Sequence, residues 1–346
     1  MAAMTTGKSR RPTQRQIAQR LGLSPATVSL ALRDSPMIAA ETRALVCEAM
    51  REAGYVPNAV AASLRTGRSR IVGVSFHNIA HQFFAEMLIA IEKRMTEGGA
   101  AVLINNHDEN PESLVRFVET LAAYGADGLI VSPPPHVTVE VLAPLRRRGV
   151  PIVYVSRHIR TDAGADRVIN ADHAAMRAAT ARLVALGHRR LVLVGGDPGT
   201  TVAEDRLSGF RAELTAAGLA WSDDLWLRCR PRLVEGAAAA LRALDRDPPP
   251  TGMVCFNDLV AFGVMNAMRT RGYEPGRDIG VVALGGTDEG AAFHPSLTTV
   301  LDNPGKIGRL AAEILAARMK TPEAAPRHVM LDPKLLVRES CGARRA

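Results

Sequence analysis

Residues 21 to 35 read LGLSPATVSLALRDS, and this stretch decides the fold of the N-terminal part of the chain. Ser24 and Pro25 form a helix-start signal: the serine hydroxyl can accept a backbone N–H of the first turn, and proline at the first helical position leaves no N–H unpaired. From Pro25 to Leu32 only Thr27 and Ser29 carry a hydrogen-bonding side chain. The stretch therefore predicts a short helix with few polar groups, whose purpose depends on its neighbours.

Another helix is predicted immediately before this stretch. Thr13 and Gln16 fit a capping box, in which each side chain accepts a backbone N–H from the other residue. The helix then runs from Gln14 to Leu21, and Gly22 supplies the permissive backbone that a tight turn needs. In the following helix Val28 and Leu32 are four residues apart and predict its buried side.

A third helix is predicted from Thr42 to the residue before Gly54, with Leu45, Val46 and Met50 as its apolar face. Two short helices joined by a glycine-containing turn and braced by a third are typical of a helix-turn-helix unit. A generic three-helix bundle would show the same pattern, although so small a core is unusual for an independent unit of another kind.

Positive charge is concentrated in the same part of the chain. Residues 1 to 70 hold 11 lysines and arginines against four aspartates and glutamates, whereas residues 71 to 346 hold 32 against 31. A basic module on a neutral body indicates a polyanion such as nucleic acid as its partner, but a solvated basic tail would give the same count. Residues 1–12 are predicted to be such a flexible basic tail.

The run from residue 17 to residue 69 resembles the lactose-repressor/galactose-repressor family of bacterial transcription regulators. Three motifs carry the resemblance: an A-x-x-x-G-V-S-x-x-T-V-S core, a Glu-Thr-Arg triplet and a Gly-Tyr-x-Pro-Asn signature. The matching residues are Ala18, Gly22, Leu23, Ser24, Thr27, Val28 and Ser29, then Glu41, Thr42 and Arg43, then Gly54, Tyr55, Pro57 and Asn58.

This resemblance implies that the helix opened by Ser24 lies in the major groove of DNA. Pro25, Ala26 and Leu30 fall where the family places base-reading side chains, and Leu30 departs from the arginine often found there. Apolar contact with thymine methyl groups would replace the usual arginine–guanine contact. Positions that in the family meet phosphates or base edges are Thr13, Ser24, Thr27, Ser29 and Tyr55, and Asn58 is also assigned to DNA contact.

Residues 58 to 65, NAVAASLR, correspond to the hinge helix of the family. A helix this short is not stable alone, so it is expected to form only when two copies pack together on DNA. Leu64 matches the leucine that the family inserts into the minor groove, where an apolar wedge kinks the duplex. The alternative is that Leu64 is an ordinary linker residue.

From Arg70 onward, short apolar runs rich in valine and isoleucine alternate with amphipathic stretches. Continuous apolar strands between helices are typical of a parallel sheet that is covered on both faces, so the predicted class is α/β, doubly wound. The predicted strands are 71–76, 100–105, 128–132, 151–156, 190–196, 252–257 and 279–286.

The order of these elements is similar to the ligand domain of the same family, and it contains the matching motifs Arg206-Leu-x-Gly-Phe210 and Asn257-Asp258-x-x-Ala-x-Gly263. The resemblance implies two subdomains like those of periplasmic binding proteins, with three crossovers and an effector cleft. The implied divisions are a helix-turn-helix domain at 13–57, a hinge helix and linker at 58–69, and an effector-binding and dimerisation domain at 71–342. In that domain the N-subdomain comprises about 71–160 and 303–328, and the C-subdomain about 161–302 and 329–342.

Ligands of open α/β sheets bind beyond the carboxyl ends of the strands, so the residues just after each run are candidates. Any of them could instead be an exposed loop residue or, for the phenylalanines, part of the core. Arg206 and Asp258 are the strongest, because their family motifs are matched around them. The candidate effector-binding residues are His77, Phe83, Phe84, Ser156, Arg157, Arg206, Asn257, Asp258 and Gly285.

The chemistry of the effector is suggested by departures from the family. Sugar-binding members commonly place carboxylates where this chain has Ser156, Ala171-Asp172 and Gly285-Gly286. Carboxylates accept charge-assisted hydrogen bonds from hydroxyls, so their loss favours an anionic effector, such as a sugar acid or carboxylate, over a neutral sugar. The side chains expected to make the cleft basic are His77, His81, Arg157, Arg206, Arg228, Arg230 and Arg232.

Other classes of function receive little support. The chain has no G-x-G-x-x-G after a strand, no G-x-S-x-G and no H-E-x-x-H, so no enzyme is indicated. Its four cysteines and nine histidines lack metal-ligand spacing, and no cofactor or metal is expected. No apolar run is long enough to span a membrane and no apolar segment opens the chain, so a cytoplasmic location is expected.

Together these patterns predict a sequence-specific transcriptional regulator and, by the habit of the family, a repressor. It is expected to bind a pseudo-palindromic operator as a homodimer under the control of a small-molecule effector. The alternative is a solute-binding module of the periplasmic-binding-protein type without a DNA role.

Overall fold

The computed structural model describes residues 12–32, 35–55 and 67–342. Residues 1–11 of the predicted tail and the predicted hinge helix at 58–65 lie outside these residues. The chain divides between Ser69 and Arg70 into two compact units, each of which is described by itself. Within the described ranges, no helix combines the length and the apolar character needed to cross a membrane.

The described residues of the first unit include the helices α1 (Gln14–Leu21), α2 (Pro25–Ala31) and α3 (Ala40–Glu52). α3 begins two residues earlier than predicted, and Leu45 is 51% exposed, so its assignment to the apolar face was wrong. Val46, Ala49 and Met50 lie three and four residues apart and form the buried stripe, which turns Leu45 outward. The core residues of this unit are Ile17, Ala18, Val28, Ala31, Val46, Ala49 and Met50.

The second unit contains two six-stranded sheets. The first has the order β11-β5-β4-β3-β1-β2, and all of its neighbouring strands are parallel. Its strands are β1 (Ile71–Phe76), β2 (Ala101–Asn106), β3 (Gly128–Val131), β4 (Ile152–Val155), β5 (Asp166–Asn170) and β11 (His328–Leu331).

Both faces of the first sheet are covered. α4 (Gln82–Glu97) and α12 (Pro304–Lys320) pack on one face, and α5 (Pro111–Ala123) and α6 (Ala143–Arg146) on the other. Successive residues of β3 alternate between the two cores: Ile130 faces the first, and Leu129 and Val131 face the second. Burial on both faces explains why these strands read as continuous apolar runs.

The second sheet has the order β12-β10-β9-β8-β6-β7, and its strands are parallel except for β12, which runs antiparallel to β10. α7 (Asp172–Ala185) and α8 (Thr201–Ala216) pack on one face, and α9 (Leu233–Leu244) and α10 (Asp258–Thr270) on the other. The short helix α11 (Asp288–Ala292) follows β9, and single 3-10 turns occupy Val139–Leu142, Asp223–Leu225 and Glu339–Cys341. The strands are β6 (Leu191–Val194), β7 (Trp226–Leu227), β8 (Gly252–Cys255), β9 (Gly280–Gly285), β10 (Thr298–Leu301) and β12 (Leu335–Leu336).

The chain passes between the two sheets at three places: after β5, after β10 and between β11 and β12. β5 and β11 both pair within the first sheet, which moves two predicted subdomain boundaries, from residue 160 to about 170 and from residue 328 to about 331. β5 reads DRVIN, with a charged or polar residue at either end, so it lacks the continuous apolar run by which the other strands were recognised. The doubly wound α/β class is confirmed.

Candidate DNA-binding helix and effector cavity

Side-chain oxygens hold the starts of the first two helices. Ser24 Oγ accepts the backbone N–H of Thr27 at 3.0 Å and lies 2.8 Å from the Thr27 hydroxyl. In α1 the Gln16 N–H donates to Thr13 Oγ1 at 3.3 Å, and the Thr13 N–H donates to Gln16 Oε1 at 2.8 Å. The predicted cap and capping box are therefore present, and these hydroxyls have a structural role besides any contact with DNA.

α2 has one buried side and one open side. Val28 and Ala31 are buried in the core, whereas Pro25 and Ala26 are exposed and Leu30 is half-buried. Residues 26 and 30 are four apart and share a face of the helix. The side chains predicted to read bases thus lie on the side of α2 away from the core.

The remaining residues predicted to contact DNA differ in their exposure to solvent. Thr13 is exposed and Ser29 is half-buried, whereas Tyr55 packs against the core of the first unit. Part of the Tyr55 side chain therefore serves packing. Asn58 and Leu64 lie outside the described residues.

A cavity of about 540 Å³ lies at the carboxyl ends of the strands, between the two sheets of the second unit. This is the position at which ligands bind in open α/β folds, and the volume suits a small molecule. The structure brings all nine predicted effector-binding residues to its wall: His77, Phe83, Phe84, Ser156, Arg157, Arg206, Asn257, Asp258 and Gly285.

Arg157 is a buried arginine that already has a carboxylate partner. Its two terminal nitrogens donate to the two oxygens of Glu109 at 2.7 and 2.9 Å, which is a bidentate pair. Ser156 places Arg157 there with a left-handed backbone, at φ 61°. Because Glu109 neutralises it, Arg157 does not present a free positive charge to the cavity.

Arg206 forms the floor of the cavity together with two carboxylates. Its Nε donates to Asp172 at 2.6 Å, one terminal nitrogen donates to the Phe256 carbonyl, and the other lies 3.5 Å from Asp302. The guanidinium also stacks over the Phe256 ring at 4.6 Å. Burial raises the pKa of both carboxyl groups against the opposing effect of Arg206, and brings that of Asp302 to about 7.

Asp258 supports the wall rather than offering a free carboxylate. One of its oxygens accepts the backbone N–H groups of Gly286 and Thr287, each at 2.8 Å, and the Thr287 hydroxyl at 3.0 Å. Its other oxygen accepts the Thr299 hydroxyl at 2.8 Å. A Cβ at Gly285 would lie 2.7 Å from the carboxyl carbon, so glycine is required beside it.

The two histidines of the wall are held in the neutral form. Burial, and then the charge of Arg157, lowers the pKa of His77 well below its usual value. Burial also lowers the pKa of His81, which Asp258 opposes. His81 Nδ1 accepts the Phe83 N–H at the start of α4, and its Nε2 lies 3.4 Å from Asn257 Nδ2.

The cavity is not basic, which corrects the expectation from sequence. Arg228 does not line it but stacks over Trp226 at 4.6 Å, and Arg232 pairs with Asp108 at 3.5 Å. The expectation counted arginines without the carboxylates that neutralise them. The lining contains four arginines, Arg157, Arg206, Arg230 and Arg232, against eight acidic residues, Glu86, Asp108, Glu109, Asp172, Asp197, Asp258, Glu289 and Asp302.

Sequence reasoning predicted Phe83 and Phe84 but missed the other three phenylalanines of the wall. Phe256 lies under Arg206, and Phe262 and Phe293 stack with centroids 4.4 Å apart and planes 13° apart. Five of the eight phenylalanines of the chain line the cavity. Phe84 is in addition nearly fully buried in the first sheet's core, as the alternative interpretation allowed. No cluster of histidine, cysteine and carboxylate side chains among the described residues fits a metal ion.

Comparisons with known proteins find matches for both parts of the chain. Residues 13–58 match the model of "Bacterial regulatory proteins, lacI family", and residues 180–341 match that of a periplasmic binding protein-like domain. The chain is 28% identical to the HTH-type transcriptional regulator DegA of Bacillus subtilis, over 94% of this chain and 96% of DegA. It is 26% identical to the HTH-type transcriptional repressor PurR of Pasteurella multocida, over 96% and 99% of the two chains.

Solved structures give the same result. The Lac repressor dimer bound to operator and the anti-inducer ONPF has a TM-score of 0.86 and 25% identity, covering 96% of this chain and 100% of that one. The transcriptional regulator CelR in complex with cellobiose has a TM-score of 0.72 and 26% identity, over 95% and 100%. The chain therefore combines a helix-turn-helix domain of the lacI family with a periplasmic-binding-protein-like domain.

Proposed function

We propose that this protein is a transcriptional repressor that binds a pseudo-palindromic operator as a homodimer and responds to a small molecule in the 540 Å³ cavity. The observation that carries the proposal is the open face of α2, a capped helix whose Ala26 and Leu30 point away from its own core. A helix presented in this way suits the major groove.

The proposed contacts assign base reading to Pro25, Ala26 and Leu30, and phosphate or base-edge contacts to Thr13, Ser24, Thr27, Ser29, Tyr55 and Asn58. Leu30→Arg is expected to change the preferred operator sequence, because arginine would add hydrogen bonds to guanine, worth about 1–3 kcal/mol of discrimination. Circular dichroism should show an unchanged fold. Retention of the original preference would remove Leu30 from the reading face.

Dimerisation is supported by an apolar surface around an edge of the first sheet. β2 is the edge strand and carries Ile104, which is 48% exposed; Ile89 on α4 and Val115 on α5 are 67% and 40% exposed. Apolar edges of this kind are normally covered by a partner. Ile104→Lys is expected to shift the protein toward monomer in analytical ultracentrifugation, whereas Val234→Lys, at an even more exposed apolar site on α9, should not. Unchanged association of the Ile104 variant would move the interface elsewhere.

Leu64 is proposed to be the minor-groove wedge, on the strength of its sequence match. Leu64→Ala should then weaken specific operator binding far more than nonspecific DNA binding, because only the kinked complex uses the wedge. An equal loss in both would make it a linker residue.

The walls of the cavity favour a neutral, hydroxyl-rich effector with an apolar face. Phe83 and Phe293, the least buried of the five phenylalanines of the wall, offer stacking surfaces, and the buried carboxylates of Asp172 and Asp302 can accept hydrogen bonds from hydroxyls. Because the two buried arginines are already paired, a carboxylate effector would meet more negative than positive charge. Among similar structures, that of CelR holds cellobiose.

Three experiments test the proposal. A binding selection on random duplex DNA should yield a symmetric site with a central pyrimidine–purine step, the kind that kinks easily; a site without symmetry would contradict the dimer. A reporter carrying that site should be silenced by the protein, and activation would contradict repression. Calorimetry with neutral sugars and matching sugar acids should detect binding of the neutral set, while binding of acids alone would restore the anionic effector.

A further inference from the structure

Asp302 lies where the chain crosses from the second sheet back to the first. β10 ends at Leu301 and α12 begins at Pro304, so Asp302 is part of a crossover segment and of the cavity floor. Its carboxylate accepts the side-chain N–H of Asn170 at 3.3 Å, and Asn170 is the last residue before another crossover. A single side chain thus connects two of the three hinge segments.

The floor holds two carboxylates and one guanidinium, all largely removed from water. Arg206, Asp172 and Asp302 are 5%, 5% and 6% exposed, and Arg206 lies closer to Asp172 than to Asp302. With every group ionised, the floor would carry one excess negative charge in a poorly solvated site, which is costly.

The surroundings of Asp302 do not supply the missing positive charge. Asp258 on α10 and Asp172 on α7 face it, and Asp205 on α8 lies beside Asp172. Among the described residues Arg206 is the one cation whose charge acts on Asp302. Burial, with Asp172 and Asp258 acting in the same direction, accordingly raises the pKa of Asp302 to about 7.

The two sides of the cavity are in contact, so the cleft over this floor is closed. Arg160 donates to Glu204 at 3.0 Å and to Asp205 at 2.8 Å across the mouth, and Arg232 approaches Asp108 at 3.5 Å. These rim pairs are about half exposed, and exposed pairs contribute little. The equilibrium between the closed and the open cleft therefore depends strongly on the free energy of burying the charged groups of the floor.

We propose that closure of the cleft binds one proton at Asp302, which makes the hinge between the two subdomains sensitive to pH near neutrality. Below neutral pH the protonated Asp302 leaves the floor as one guanidinium and one carboxylate, and closure buries no net charge. As the pH rises, Asp302 ionises and opening is favoured because it returns the carboxylate to water. The inference deepens the effector site of the proposed function, since closure is what encloses a ligand.

The size of the effect follows from the linkage of proton binding to closure. If the open cleft gives Asp302 an ordinary pKa, each pH unit below 7 changes the ratio of open to closed forms tenfold, and the change levels off above 7. Between pH 6 and pH 8 the open fraction should therefore rise by about tenfold.

Hydrogen exchange of the full-length protein, without effector or DNA and corrected for the intrinsic pH dependence of exchange, measures this opening. Peptides covering residues 157–160 and 200–206, on opposite sides of the mouth, should lose about tenfold in protection between pH 6 and pH 8. The Asp302→Asn variant has a side chain of the same shape that does not titrate. Its two mouth peptides should therefore stay protected from exchange at both pH values. Asp278→Asn removes an exposed carboxylate elsewhere and should behave as wild type.

An isotope-edited infrared titration detects the protonated aspartic acid directly in the wild-type protein. With carbon-13 aspartate, the wild type should show a protonated aspartic acid carbonyl band at pH 6 that disappears by pH 8. A wild type without that band, or with equal protection at both pH values, would overturn the inference, as would an Asp302→Asn variant that follows the wild-type pH dependence. Because no DNA or effector is present, these outcomes leave the assignment as a regulator untouched, and failed operator binding would leave the proton site standing.

Discussion

Arg206→Met would leave the floor of the effector cavity with two buried carboxylates and no cation. Methionine retains much of the length and apolar volume of the arginine stem, so the variant removes mainly the charge and its hydrogen bonds. Asp172 loses its 2.6 Å partner, and the Phe256 carbonyl loses its donor. Removing one partner from a buried ion pair costs about 3–5 kcal/mol, which is a large part of the stability of a domain.

The loss should depend on pH in a definite direction. Burial already raises the pKa of Asp172 and Asp302, and among the described residues Arg206 is the charge that opposes that rise. A group whose pKa is higher in the folded state stabilises the fold below its unfolded pKa and loses that contribution as the pH rises. The variant should therefore lose the most stability at pH 8, and less at pH 5, where both carboxyl groups can stay protonated.

Urea unfolding followed by tryptophan fluorescence is a suitable assay. The two tryptophans, Trp221 and Trp226, both pack in the subdomain of the second sheet. Arg177→Met is the matched control, because Arg177 is half-exposed where it pairs with Glu213 and should cost at most about 1 kcal/mol. A loss below about 1 kcal/mol for Arg206→Met, or the same loss at pH 5 and pH 8, would refute the electrostatic account of the floor.

Other substitutions test packing, capping and titration. Gly308→Ala should destabilise the protein by about 1–3 kcal/mol in urea unfolding, because its Cβ would lie 2.4 Å from the Met87 carbonyl oxygen. Gly305→Ala on the same helix has open space and should not. Ser24→Ala should destabilise the helix-turn-helix unit by about 1 kcal/mol, seen as earlier loss of its helical circular dichroism. The pKa of Asp302 rises from 3.8 to about 7 on folding. The wild type should therefore lose about 3 kcal/mol of stability relative to Asp302→Asn as the pH increases from 4 to 7, and parallel pH profiles of stability would contradict this.

The central strands of both sheets were predictable because burial on two faces leaves a continuous apolar signature. β1, β3 and β4 begin and end within one residue of their predicted positions. β5 and β11 were not recognised, since DRVIN and HVML are short and mix polar with apolar residues. Their pairing in the first sheet depends on contacts between distant parts of the chain, which no local pattern contains.

The same limit explains which part of the cavity was missed. The rule that ligands bind just beyond the carboxyl ends of strands brought nine residues to one wall. Asp302 obeys this rule, because it directly follows β10, but β10 reads TTVL and was not identified as a strand. Glu109 lies a few residues beyond β2 and was passed over, although its strand had been identified.

The expectation of a basic cleft failed for a more general reason. A buried arginine is stable only when carboxylates or carbonyls accept its N–H groups, so a buried arginine in a cavity implies acceptors in contact with it. Here those acceptors come from far along the chain: Glu109 is 48 residues from Arg157, and Asp302 is 96 residues from Arg206. The number of arginines near strand ends therefore reflects ion pairs within the protein and does not indicate the charge of the ligand that the site binds. The charge of the effector is better inferred from groups with unused hydrogen-bonding capacity, and in this cavity the buried carboxylate with the weakest pairing is Asp302, the residue proposed to carry the proton.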